Sequence, residues 1–360
     1  MEVYLRNTKS ILIGLICLTY IGLFFSISLS NIFLIMLFAF CLVNIDLKQT
    51  LNALRKSAFL RMMIAMYLLQ IVGLIYTQNL HNGFFLLEKK ICILAVPVLV
   101  FPLLLKYLDD SDSLFRKIGL ITILSSVVLL IIAFYRIYFL NNAQAFYYGA
   151  DLSEGFTSIH YPYYAMYFAC GSLMFFDCMF DQLMKKKYGL ILLLLLFLYS
   201  LGIMILVASK TGIVAFGIAS ILFLYYKLPN KKISVAAIFI FLIAAGVFLY
   251  TNKTTLERFT GLGEDLSVLR KDTLTEGMPL TGVNMRLLFW KISIAHLTRD
   301  HLIFTGVGTG DAQDYIDYLY NLPNYKLYGY IGWDSHNQWV FTLIQIGVAG
   351  VLVMFFLYAR

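Results

Sequence analysis

"KKKYGLILLLLLFLYSLGIMILVASKTGIVAFGIASILFLYYKLPNKK", residues 185–232, decides the fold. Two apolar runs, near 189–208 and 211–227, are flanked by lysine clusters at 185–187 and 227–232 and joined by the short polar turn around Lys210. Both runs are apolar on every face. A barrel strand alternates polar and apolar residues over ~10 positions, so these runs read as helices whose whole circumference avoids water. A hydrocarbon layer of ~30 Å needs about 20 such residues per helix, and the runs approach that length.

The same pattern extends along nearly the whole chain. Its 360 residues are 61% hydrophobic and 13% charged, with a mean hydropathy of +0.81. Soluble domains average about 45–50% apolar and about 25% charged, so the excess faces lipid. About ten spans are expected, near residues 9–25, 30–46, 58–76, 88–106, 117–139, 161–180, 189–208, 211–227, 234–250 and 336–358. The first two divide one long apolar run at Ser28, Ser30 and Asn31. The opening "MEVYLRNTKS" imitates a signal peptide but leads to no small-residue cleavage site, and is read as the start of the first span.

Basic residues of short loops prefer the cytoplasmic side. Arg6 and Lys9; Lys48, Arg55 and Lys56; Lys106, Arg116 and Lys117; Lys185–Lys187; and Lys227, Lys231 and Lys232 fall in alternate connections, which are therefore cytoplasmic. The turn near Ser30, the loop near His81, the loop 141–160 and the turn at Lys210 lie outside, as does the long hydrophilic segment 251–334. The expected organisation is all-α: a transmembrane bundle of about nine helices over 1–250, a long outer loop with short helices over 251–334, and a last transmembrane helix over 335–360.

The net charge of +8 is a topology signal, and nucleic acid is excluded as a partner. Cys17, Cys41, Cys92, Cys170 and Cys178 sit in apolar stretches without CxxC spacing, as small buried residues rather than a disulfide framework or zinc site. No pair of inverted repeats with broken helices, the mark of many transporters, is visible.

The long outer loop is the place to look for chemistry. After the polar "TNKTTLERFTGLGEDLSVLRKDTLTEGM", the stretch "NMRLLFWKISIAHLTRD" has apolar residues at helical spacing with Arg286, Lys291 and His296 interleaved. "GVGTGD" lacks dinucleotide spacing and any βαβ context. Its Gly306, Gly308 and Gly310 form either a tight turn or a nest of backbone N–H groups for a phosphate. Asp311, Asp314 and Asp317 read as a solvated helix face or, less simply, a cation site; the outer loop holds no Asp-x-Asp.

In "WDSHNQWVFTLIQIGVAG", residues 333–350, Ser335 followed by Gln338 has the form of a capping box. His336 then occupies the first helical turn, where the dipole disfavours imidazolium and leaves a neutral ring able to accept a proton; the alternative is a structural boundary histidine. Lys210 either snorkels to the surface or meets an anion. In "TSIHYPYYAMYFA", His160 stands beside Tyr161, Tyr163 and Tyr164, which an interfacial aromatic belt explains.

The ordered set "HYPYY", "ASKTG", "NMRLLFWKIS", "GVGTGD" and "SHNQWVFTLIQIGVAG" resembles the O-antigen ligase and O-antigen polymerase superfamily of bacterial envelope proteins, from about residue 80 onward. The resemblance implies a GT-C-like polytopic glycosyltransferase of the bacterial inner membrane with a periplasmic active face. Its donor is a glycan on undecaprenyl diphosphate. Its acceptor is the lipid A core for a ligase, a second lipid-linked repeat unit for a polymerase, or protein serine or threonine. No metal and no cofactor are implied. His336 matches the histidine of the family's "HN" motif, Arg286 the arginine preceding Trp290, and Lys210 an arginine after serine. This last is a departure, since lysine lacks the bidentate fork that suits phosphate.

The expected catalytic set is thus His336, Arg286 and Lys210, with His336 taking the acceptor proton and the two cations offsetting charge on the departing diphosphate. Asn337, His160, Trp290 and the three glycines are the expected substrate-binding residues. A flippase for lipid-linked glycans is the competing class; it would line a path with charges inside the spans, whereas only Arg61 and Arg136 approach that description. Proteins of this family continue for one or two spans past the point matching Arg360, so a shorter member or an incomplete chain is expected.

Overall fold

The computed structural model describes residues 2–108, 112–140, 159–207, 209–251, 282–323, 325 and 327–359. The expectations for 141–158 and 252–281 lie outside these residues. Among the described residues all regular structure is helical: α1 (Glu2–Phe25), α2 (Ile27–Val43), α3 (Leu47–Lys56), α4 (Ala58–Val72), α5 (Leu80–Lys89), α6 (Cys92–Tyr107, with a π-helical turn over Val96–Val100), α7 (Asp112–Phe139), α8 (Tyr161–Met184), α9 (Gly189–Leu206), α10 (Lys210–Lys227), α11 (Lys231–Thr251), α12 (Gly282–Arg299), α13 (Ala312–Tyr320) and α14 (Gln338–Tyr358).

Each of the ten expected apolar stretches falls largely on a helix. By length and composition five of the described helices are able to cross a membrane: Asn7–Phe25, Asp112–Phe139, Gly189–Leu206, Lys210–Lys227 and Gln338–Tyr358. The pair α2 and α3, broken at residues 44–46, makes a sixth if taken as one span, while α4 and α6 are apolar but shorter.

The chain forms two compact units, Met1–Phe40 with Tyr107–Thr260, and Cys41–Lys106 with Gly261–Arg360. This grouping differs from three consecutive segments, because residues 41–106 share a unit with the stretch following residue 261.

The first unit is centred on Phe24, Tyr164, Phe168, Phe176, Phe197, Phe216 and Phe241, all essentially buried. Small residues let its helices approach. At Gly171 an added Cβ would collide with the Thr122 side chain of α7, and nearby the Tyr20 hydroxyl donates to Tyr167 O at 2.9 Å and lies 3.1 Å from Thr122 Oγ1. Close backbone approach with an internal hydrogen bond is the economical way to join helices where no water competes.

The second unit has two cores. One face of α12 (Met285, Leu288, Phe289, Ile292) and one of α13 (Ala312, Ile316, Leu319) meet Val340 and Ile344 of α14. Further along, Ile346 and Met354 of α14 pack on Met66 of α4. Between these cores α14 is not one helix: Ile346 (φ −135°, ψ 17°) and Gly347 (φ 65°, ψ −162°) break it. The loop 302–309 satisfies the backbone groups freed by the break. Val307 N donates to Ile344 O at 2.8 Å, Gly308 N to Gln345 O at 3.1 Å, and Val348 N to Ile303 O at 3.0 Å. Irregular backbone within an apolar helix is tolerated where protein supplies such partners. At the same point Lys90 Nζ donates to Gln345 Oε1 at 2.6 Å and to Gln70 Oε1 at 3.2 Å, placing a cation beside the C-terminal end of the first half-helix, where the dipole favours it.

Candidate active site

The polar end of the second unit is assembled around the start of α14. Asn337 caps that helix, its Oδ1 accepting from Trp339 N at 2.9 Å and Val340 N at 3.4 Å. The expected capping box on Ser335 is therefore corrected: Ser335 is fully buried, its hydroxyl donates to Asn337 O at 3.1 Å, and its own carbonyl is taken by Trp290. Trp290 Nε1 donates to Ser335 O at 2.8 Å, drawing Ser335 inward three residues before the helix begins. His336 consequently lies ahead of the cap and outside the first helical turn, contrary to its expected placement.

His336 instead sits in a tight turn with φ +47°, a left-handed conformation uncommon for a residue bearing a Cβ. Its backbone N–H donates to Asp334 Oδ1 at 2.8 Å, and its Nδ1 lies 3.2 Å from the same oxygen. The ring meets Trp333 edge to face, centroids 5.4 Å apart at 86°. Trp333 in turn meets Tyr330 at 5.6 Å, Tyr330 meets Phe289 at 5.7 Å, and Phe289 meets Tyr320 at 4.3 Å, so an aromatic chain runs from the core of this unit to the histidine. The turn is held from α13 as well: Asp317 Oδ1 accepts from Gly332 N at 2.8 Å, and Gln313 Nε2 donates to Trp333 O at 3.2 Å.

Arg286 is exposed on α12, one helical turn before Trp290 and so on the same face as the residue that grips Ser335. The structure thus brings Arg286, Trp290, His336 and Asn337 into one part of one unit. Lys210 and His160 belong to the other. Lys210 is the first residue of α10, half-buried, after Ser209, whose Oγ accepts from Gly212 N at 3.3 Å. A helix N-terminus opposes a cation, so helix stability does not explain its position. His160 precedes α8, its ring 4.7 Å from Tyr161 and 6.4 Å from Tyr163. Tyr164 is 1% exposed and belongs to the core instead of an aromatic belt.

The glycine turn does not present a phosphate nest. Gly306 N donates to Leu302 O, Gly308 N to Gln345 O and Gly310 N to Thr77 Oγ1, so all three N–H groups are consumed inside the unit. Gly306 is needed for close approach, since a Cβ there would stand 2.6 Å from the Gln345 carbonyl. The acidic row is likewise committed. Asp311 accepts from Gln78 N at 2.8 Å and Asn79 N at 2.7 Å, capping the approach to α5, and Asp314 accepts from Asn79 Nδ2 at 2.8 Å. Among the described residues no three His, Cys, Asp or Glu side chains converge as metal ligands. An open cleft of about 530 Å³ is lined by Gln78, Asn79, Val307, Asp311, Asp314 and Tyr315.

Sequence reading passed over Asp334 and Trp333, and read Asp317 without its tie to Gly332. The first had a signal: an aspartate two residues before a histidine is spaced to accept that residue's N–H in an Asx turn.

Fold and site together define a multi-pass helical membrane protein with a polar site assembled at the head of a broken apolar helix. Residues 195–355 match the family described as O-antigen ligase, a span that includes Lys210, Arg286, Trp290 and the His336–Asn337 pair and leaves out His160. The match supports the O-antigen ligase and polymerase superfamily, and with it a ligase- or polymerase-type function. No curated protein and no solved structure matches the chain.

Proposed function

We propose that the protein is an O-antigen ligase-like glycosyltransferase that moves a glycan from undecaprenyl diphosphate to a hydroxyl of the lipid A core, on the periplasmic face of the bacterial inner membrane. The observation that carries this reading is the exposed turn of His336, held beside Asp334 and Trp333 and joined through Trp290 to the helix bearing Arg286.

In this mechanism His336 takes the proton of the acceptor hydroxyl as that oxygen attacks the anomeric carbon, and the bond to the diphosphate breaks with its electron pair on the departing phosphate oxygen. Arg286 offsets the charge that builds there. Asn337 keeps the helix start in register with the turn. The amide, carboxylate and phenol groups of the cleft near Asp314 suit sugar hydroxyls better than a phosphate, which its two carboxylates would repel. Neither metal nor cofactor enters the scheme.

The alternative acceptor is a second lipid-linked repeat unit, which makes the protein a polymerase. The test is an in vitro transfer assay with purified protein in lipid, an undecaprenyl-diphosphate-linked glycan, and either core lipid or a second donor as acceptor, comparing wild type with His336→Ala. Transfer to core lipid that vanishes in the variant supports the ligase; chain growth on the second donor replaces it by the polymerase. Undiminished transfer by a correctly inserted His336→Ala protein overturns the mechanism, and binding of the donor without transfer to either acceptor turns the reading toward a flippase.

A further inference from the structure

We propose that Asp334 is the positioning residue of His336: one carboxylate oxygen sets both the backbone turn and the orientation of the ring, so that Nε2 is the nitrogen offered to the acceptor hydroxyl. The inference rests on His336 being the base, and its test is built to fail separately from that reading.

The geometry supplies three constraints. Asp334 Oδ1 accepts the His336 backbone N–H at 2.8 Å, an Asx turn that holds the residue at φ +47°. Without that bond the left-handed conformation, which L residues with a Cβ leave readily, keeps only the bond from Ser335 Oγ to Asn337 O as local support. The same oxygen lies 3.2 Å from Nδ1. An ionised carboxylate has only lone pairs to offer, so the ring nitrogen facing it carries the proton. A neutral imidazole has a single N–H, and the lone pair that can accept a proton is then on Nε2, directed away from Asp334. Finally, Trp333 stands edge to face against the ring at 5.4 Å and limits its rotation about the Cβ–Cγ bond.

The His336 side chain is 33% exposed and that of Asp334 57%, so the ring is reachable and solvent screens the charge of the carboxylate. The role of Asp334 is therefore orientation more than charge stabilisation. The other titratable groups tied to the turn are Asp317 on α13, which holds Gly332, and Tyr320, whose phenol is pushed up by burial and by Asp334 and Asp317. Among the described residues of the turn, Asp334 is the titratable group in contact with the imidazole.

A purely structural Asp334 and a positioning Asp334 make different forecasts for Asp334→Asn. The amide oxygen keeps the Asx turn, yet as a neutral acceptor it binds Nδ1–H less strongly than a carboxylate does, so the preference for that tautomer falls. The full chain is reconstituted in lipid with the lipid-linked donor and the acceptor that supports transfer; wild type, Asp334→Asn and Asp334→Glu are compared for kcat and KM. Nitrogen-15 NMR of histidine-labelled protein reads the tautomer, with His336→Ala identifying its signals. The expected result is a drop in kcat of about 10- to 100-fold for Asp334→Asn at nearly constant KM, partial recovery in Asp334→Glu, and a wild-type ring protonated at Nδ1 that shifts toward Nε2–H in Asp334→Asn. Wild-type kcat in Asp334→Asn, a loss of kcat with the tautomer unchanged, or a wild-type ring protonated at Nε2 overturns the proposal. Should Asp334→Asn fail to fold, the wild-type tautomer and the Asp334→Glu rates still decide it. Should His336→Ala retain transfer, the base assignment falls, while the tautomer measurement reports on Asp334 independently.

Discussion

Replacing Gly347 by alanine tests the broken helix directly. At φ 65° and ψ −162° the residue occupies a region open essentially to glycine alone, and an L side chain there costs about 1–3 kcal/mol in backbone strain. The added methyl would also fall on the Phe304 carbonyl oxygen and stand 2.7 Å from Thr305 N. These are backbone atoms, so relief requires the loop 302–309 to move. That loop is tied to the break by the bonds from Val307 to Ile344, Gly308 to Gln345 and Val348 to Ile303. Leaving one such buried group unpaired costs a further ~1–3 kcal/mol, for a total of about 2–6 kcal/mol. For a unit of this size the expected fall in thermal midpoint is about 4–24 °C. The assay is thermal unfolding of purified protein in one detergent, with Gly217→Ala as control, because nothing lies within 4 Å of a Cβ at that position. The control should be unchanged or gain up to about 1 kcal/mol from helix propensity. A Gly347→Ala protein that melts with the wild type, or a control that falls equally far, would refute the reasoning.

Three other outcomes follow from the second unit. Asn337→Ala should lose about 1 kcal/mol from the cap of α14 while Asn337→Asp retains it, as read by thermal unfolding of the pair; equal loss in both would contradict the capping role. Trp290→Phe keeps the packing but removes the bond to Ser335 O, leaving a buried carbonyl unpaired; it should cost about 1–3 kcal/mol and lower transfer by displacing the His336 turn, whereas an unchanged rate would show the tie to be dispensable. His296, buried on α12 with Nδ1 unpartnered, is held below the ordinary histidine pKa first by burial and then by Arg299. A depressed folded value means that stability is fully present above about pH 6.5 and is lost as pH falls through the folded pKa, because the unfolded chain binds the proton first. His296→Gln should flatten that acid limb of the melting profile, and an identical profile in the variant would remove His296 as its cause.

Much of the helix content was legible because it depends on short-range pattern. A run such as residues 189–206 is apolar on every face, and no other secondary structure satisfies its backbone in lipid. Neighbour relations along one element were legible too: Arg286 and Trp290 stand four apart on one helix, and the histidine and asparagine adjoin an apolar run. Where two local solutions competed, sequence chose wrongly. Ser335 with Gln338 and Asn337 alone are both acceptable caps, and only the indole of Trp290, 45 residues away in sequence, withdraws Ser335 from the competition.

The glycine turn shows the same limit from the other side. Its spacing advertised free N–H groups, yet Gly308 and Gly310 donate to Gln345 and to Thr77, and Thr309 N to Gly73 O. The break at Gly347 was hidden because a glycine within an apolar run is ordinarily tolerated as helix. By itself, then, the sequence determined which stretches leave water and become helices, since hydrophobic periodicity acts over a few residues. Only the tertiary structure decided where a helix is broken, which residue caps it and which N–H groups remain for a ligand. Nearly every buried backbone donor and acceptor must find a partner, and those partners come from elements far apart along the chain.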